Sequence, residues 1–123
     1  MLPFEDRKYL ESRFPEFTET TEGQMICVLV PEYRLPDGLS CARSDLLLRL
    51  APGYPDIAPD MWWFDPPIRR SDGQVIPQTD IQEHHLGRTW QRWSRHLDAG
   101  QWKAGIDNIE TFLALVRKEL LAA

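Results

Sequence analysis

"DLLLRLAPGYPDIAPDMWWF", Asp45 to Phe64, is the stretch on which the fold turns. Its first part, "DLLLRLAPGY" from Asp45, has the length and apolar density of a buried strand. "PGYPDIAPD" then interrupts with prolines and a glycine, which no regular element tolerates in its interior. "MWWF" resumes as a short apolar-aromatic strand, and "DPP" closes it. Trp62 and Trp63 are adjacent on that strand, so their side chains must leave on opposite faces. One is expected in the core and the other on the far side of the sheet.

Working outward, "FTETTEG" and "MICVLVPEYRL" read as the two arms of a hairpin, and "PDG" at Pro36–Gly38 marks the next turn. Before them, "LPFEDRKYLESRFPEF" reads as a short helix. Pro3 suits its first turn, Glu5 and Asp6 suit its positive end, and Pro15 stops it. Phe4, Leu10 and Phe14 make an imperfect apolar stripe. Downstream, Pro66 to Thr89 is polar and aperiodic, which predicts a long irregular loop of the kind that carries function or moves. In the last segment Ile106, Ile109, Phe112, Leu113, Val116 and Leu120 recur at helical spacing, with Arg117 and Lys118 near the negative end. The order is helix, four-stranded antiparallel meander, irregular loop and C-terminal helix, an α+β arrangement.

The bulk composition narrows the function classes. A chain of 123 residues, 42% apolar and 27% charged, is expected to form one globular domain over residues 1–123. Its ten prolines are dispersed as loop punctuation, and its net charge of −5 argues against a protein built to hold phosphate backbones. The sequence has no apolar run of membrane-spanning length and no charged-then-apolar leader, which predicts a cytoplasmic protein without a membrane anchor. Cys27 lies in the apolar run "ICVLV" and reads as a buried small hydrophobe, whereas Cys41 lies in polar sequence and reads as exposed. Neither has a metal or disulfide spacing, and the three histidines have no cysteine placed to help them, so no metal and no cofactor is implied.

Tyr54, Pro55 and Pro59 followed by "MWWF", in this order of elements, resemble the ubiquitin-conjugating-enzyme (UBC-like) superfamily. The resemblance runs from Phe17 through Leu121, with the first helix also in place. In that superfamily the catalytic cysteine lies eight residues before a tryptophan, and eight residues before Trp102 stands Ser94. The approach "GRTWQRWS" is similarly led by a glycine. "WQRWSRH" and "DLLLRLAPGYPD" look like a bacterial branch. The resemblance therefore implies a ubiquitin-like protein and an activating enzyme as partners, and a JAB-type peptidase in the same pathway.

The departures are as informative. The His-Pro-Asn tripeptide of the superfamily is absent, the only asparagine is Asn108 in the final helix, and no cysteine follows Cys41. A cysteine thioester at the usual place is impossible. If Ser94 accepts the C-terminus of a ubiquitin-like protein, the product is an oxyester, and the hydroxyl needs a base within hydrogen-bond reach. His96 shares the face of Ser94 if the segment is extended, and His84 and His85 are placed to fold over it from the loop. Arg92 and Arg95 are candidates to bind the tail carboxylate or a developing oxyanion.

Two readings compete with an acyl carrier. In one, Ser94 caps a turn between core tryptophans and the domain is an inactive UBC-like module that holds a ubiquitin-like protein or a partner enzyme. In the other, the strip "TWQRWSRHLDAGQW" stacks on single-stranded nucleic acid. The small excess of basic over acidic residues around that strip does not offset an acidic chain. Trp90, Trp93 and Trp102 are expected to pack, not to recognise.

Overall fold

The computed structural model describes residues 1–98 and 100–123, leaving out Ala99 within the aromatic strip. In chain order its elements are helix α1 (Phe4–Arg13), strands β1 (Thr18–Glu22), β2 (Met25–Arg34), β3 (Arg43–Leu50), β4 (Trp62–Asp65), β5 (Ile81–His85) and β6 (Arg88–Trp93), and helix α2 (Ile109–Ala122). The strands form one antiparallel sheet in the order β1-β2-β3-β4-β6-β5. The expected meander is its first four strands. The segment expected to be irregular from Pro66 to Thr89 is irregular only in its first part, because β5 and the start of β6 form a further hairpin that docks on β4.

That hairpin has no apolar signature because of where it lies. β5 is an edge strand, "IQEHH", with no alternation to read. Its two-residue turn is Leu86-Gly87, with φ of 54° and 75°, the left-handed pair that a tight hairpin needs. Sequence reasoning looks for Asn-Gly there, and a leucine hides the turn.

Adjacent tryptophans divide as the alternation requires. Trp62 and Phe64 point into the main core with Trp93 of β6, Leu10 of α1 and Phe112, Leu113 and Val116 of α2. Trp63 points the other way, into a smaller cluster with Cys27, Leu47 and Trp90. Among the described residues, none from either helix packs on this second cluster. Cations roof it instead: Arg49 lies 5.9 Å from the Trp63 ring centre and Arg88 4.3 Å from that of Trp90. Cys27 is buried as expected, and burial raises its thiol pKa. Cys41 is half-buried against the main core, and not free on the surface.

Each helix differs from its expected stripe in one respect. The inward face of α1 uses Asp6 and Leu10, with Leu2 just before the helix also buried, while Phe4 is 68% exposed. α2 begins three residues later than the pattern suggests, since Asn108 caps it, and Ile106 is left 70% exposed. Asp6 explains the polar residue in the apolar face. Its carboxylate accepts from the Tyr54 hydroxyl at 2.7 Å and from the Ile109 backbone N–H at 3.0 Å, so it joins α1, the proline-rich loop and the N-terminus of α2.

Candidate functional site

Ser94 is the first residue after β6, and the chain turns sharply around it. The Arg95 N–H folds back onto the Trp93 carbonyl at 3.0 Å, which makes Ser94 the centre of a three-residue turn. The Ser94 N–H donates to the carbonyl of Gln78 at 3.0 Å, tying this turn to the irregular segment before β5. The extended run that would have placed His96 on the face of Ser94 therefore ends one residue too early.

The Ser94 hydroxyl is half-buried and accepts from Arg92 Nε at 3.0 Å. Arg92 is itself held by Glu83 Oε2 at 2.8 Å. Burial works against the charge on Glu83, but hydrogen bonds from His85, Trp63 and Arg92 outweigh it and keep the carboxyl below its ordinary range. Arg92 is thus a fixed cation beside the hydroxyl, oriented by a carboxylate that stays ionised.

The other sequence-derived candidates separate. Arg95 is clamped by Glu119 at 2.8 Å, donates to the Pro77 carbonyl at 3.0 Å and stacks 5.0 Å from the Trp93 ring centre. His85 lies between Glu22 and Glu83, edge-on to Trp63. His84 is exposed on the edge strand. Both histidines sit at the hairpin end of β5, where His85 pairs with Arg88. His85 connects to Ser94 only through Glu83 and Arg92, and among the described residues no hydrogen bond joins either histidine to Ser94 directly.

His96 is placed differently. Its Nδ1 lies 2.7 Å from Asp60 Oδ1, with the imidazole 64% and the carboxylate 52% exposed. The Met61 N–H donates to the Arg95 carbonyl at 3.1 Å, and this backbone bond brings the two segments together. A histidine whose Nδ1 faces a carboxylate is fixed in orientation and presents Nε2 outward, the arrangement of a base and its orienting group. Sequence reasoning found His96 but missed Asp60 and Glu83. Nothing in a single sequence links His96 to a carboxylate 36 residues away in a proline-rich loop.

The tryptophans of the strip are structural. Trp90 donates to the His85 carbonyl at 2.9 Å and Trp93 to Gln91 Oε1 at 3.0 Å, both rings being fully buried. Trp102 donates to the Pro55 carbonyl at 2.8 Å and packs 6.1 Å from the Tyr54 ring. It thus joins the segment after Ser94 to the Tyr-Pro that carried the resemblance.

Among the described residues there is no group of three or more His, Cys, Asp or Glu side chains able to hold a metal ion, and no helix long and apolar enough to cross a membrane. Compared with known proteins, the chain matches the family model of Prokaryotic E2 family E over residues 2–123. No curated protein and no solved structure matched it.

Proposed function

The chain belongs to Prokaryotic E2 family E, and from that premise we propose that it is a ubiquitin-conjugating-enzyme-like protein of a bacterial ubiquitin-like modification pathway. In this reading it is a single cytoplasmic domain that receives the C-terminus of a ubiquitin-like protein from an activating enzyme. It then passes that acyl group to a target, and a JAB-type peptidase acts in the same pathway. Ser94 is the acceptor. Its Oγ attacks the carbonyl of the activating enzyme's thioester, the new C–O bond replaces the C–S bond, and the hydroxyl proton passes by way of His96 to the leaving thiolate.

The observation that carries the reading is the His96–Asp60 pair, 2.7 Å apart and open to solvent, two residues beyond a hydroxyl that Arg92 already contacts. Arg92 supplies a donor where negative charge develops. Asp60 holds His96 in position, and His84 on the exposed edge is left free to meet the incoming tail. Arg95 and His85 act in this reading as supports for the frame, through Glu119 and Glu22.

One observation favours the second reading, a module that binds a ubiquitin-like protein or partner enzyme without covalent chemistry. The Ser94 lone pair is engaged by a cationic donor, and the tight turn separates it from His96. Reaction with ATP, the activating enzyme and the ubiquitin-like protein, followed by peptide mass spectrometry, decides between them. The carrier predicts a base-labile adduct on Ser94, absent in Ser94→Ala and formed roughly tenfold or more slowly in Asp60→Asn. Stable binding with no acylated residue would transfer the assignment to the module.

A further inference from the structure

Away from Ser94, the end of α1, the end of β2 and the outer face of α2 enclose a groove of about 420 Å³. Tyr9, Phe14 and Tyr33 form its aromatic side, with ring centres 6.3 Å and 5.9 Å apart in sequence along it. Arg13, Arg34 and Arg117 line the rest, one from each element, together with Glu110.

Like Arg43 and Arg69, these three arginines form no salt bridge among the described residues, but these three share one groove. Arg7, Arg49, Arg70, Arg88, Arg92 and Arg95 each have a carboxylate within salt-bridge distance. Among the described residues no carboxylate lies within 4.0 Å of Arg13, Arg34 or Arg117. Arg13 lies 6.0 Å from the Tyr9 ring centre, and Arg117 donates to the Arg34 carbonyl at 3.2 Å. In a chain with 19 acidic residues and a net charge of −5, three guanidiniums around one groove face a single carboxylate, Glu110. Tyr33 adds a polar group to the same groove: its residue is 8% exposed, and its hydroxyl has no protein partner among the described residues and stays open to solvent. Burial raises its pKa, so the phenol is a neutral donor.

We propose that this groove binds a short acidic peptide segment of a partner protein, with carboxylates on Arg13, Arg34 and Arg117 and an aromatic or aliphatic side chain against Tyr9, Phe14 and Tyr33. Guanidiniums and aromatic faces together suit that occupant better than a bare anion, which would leave the rings uncovered. The volume falls within the ~300–1,000 Å³ of ordinary ligand pockets. The assignment is independent of whether Ser94 is acylated.

The test uses the full chain and a fluorescein-labelled Asp-Glu-Phe-Glu-Asp peptide, with Asn-Gln-Phe-Gln-Asn as the uncharged control. Fluorescence anisotropy should show binding of the acidic peptide alone, and amide NMR shifts should map to α1, the end of β2 and α2. Replacing Arg34→Gln and Arg117→Gln together should weaken binding about tenfold or more, with the circular dichroism spectrum unchanged. Arg69→Gln, outside the groove, should leave binding as it was. Equal binding of the control peptide, or no effect of the double substitution, overturns the proposal. So does inorganic phosphate bound as tightly as the peptide, or a concentration-dependent dimer that the double substitution abolishes.

Discussion

At the scale of single residues, polar groups decide more than apolar ones. Asp6 is 3% exposed and serves both Tyr54 and the first free N–H of α2. Asp6→Ala strands both donors and should cost about 2–4 kcal/mol, read as a shift in the urea midpoint. Glu83 gathers Trp63, His85 and Arg92, and its folded pKa lies below the ordinary 4.5. A carboxyl depressed on folding adds stability that is complete above its ordinary value and lost as pH falls through the folded one. Denaturation at pH 7 and near pH 3.5 should therefore differ, and Glu83→Gln should reduce that difference while costing about 1–3 kcal/mol at pH 7. A Glu83→Gln protein with an unchanged acid dependence would remove Glu83 from this account. Ser94 and His96 were legible as candidates because a spacing from Trp102 pointed to them. Asp60 and Glu83 were not, since their roles arise only from segments brought together by the sheet.

At the scale of elements, the turns and caps explain where reading the sequence succeeded and where it missed. Asn108 accepts from the Thr111 N–H at 3.0 Å while the Thr111 hydroxyl oxygen accepts from the Asn108 N–H at 2.9 Å. This reciprocal cap, and not the apolar period, sets the start of α2. Asn108→Ala should cost about 1 kcal/mol, a Tm drop of roughly 3–5 °C in a domain of this size. Gly87 has φ of +75°, and a Cβ there would meet nothing within 4 Å. Gly87→Ala therefore reports backbone strain alone and should cost about 1–2 kcal/mol by thermal denaturation; a neutral result would mean the hairpin turn tolerates a different conformation. The strands β2 to β4 were readable because apolar runs end at prolines and glycines, and β1 because its weak alternation up to Gly23 reads as the first arm of a hairpin with β2. The β5-β6 hairpin was not, because its outer strand is polar and its turn carries a leucine.

At the scale of the whole molecule, one buried amide fastens the irregular segment to the sheet. Gln91 Oε1 accepts from the Ile68 N–H and from Trp93 Nε1, and Nε2 donates to the Ile68 carbonyl. Gln91→Leu leaves all three partners without this bond in the core and should cost more than about 3 kcal/mol. Limited proteolysis should then cut between residues 69 and 80 at conditions where the unaltered protein resists. The sequence by itself determined the α+β class, the two helices, the first four strands and the opposite facing of Trp62 and Trp63, and it singled out Ser94 as a candidate. Those features rest on local periodicity, on breakers and on one short spacing, which a chain carries in its own order. Tertiary structure alone decided that Ser94 lies in a tight turn under Arg92, that His96 finds Asp60, and that three arginines from three elements share one groove. Each of these depends on residues tens of positions apart meeting at one place, and ion pairs and hydrogen bonds leave no periodic trace in a sequence.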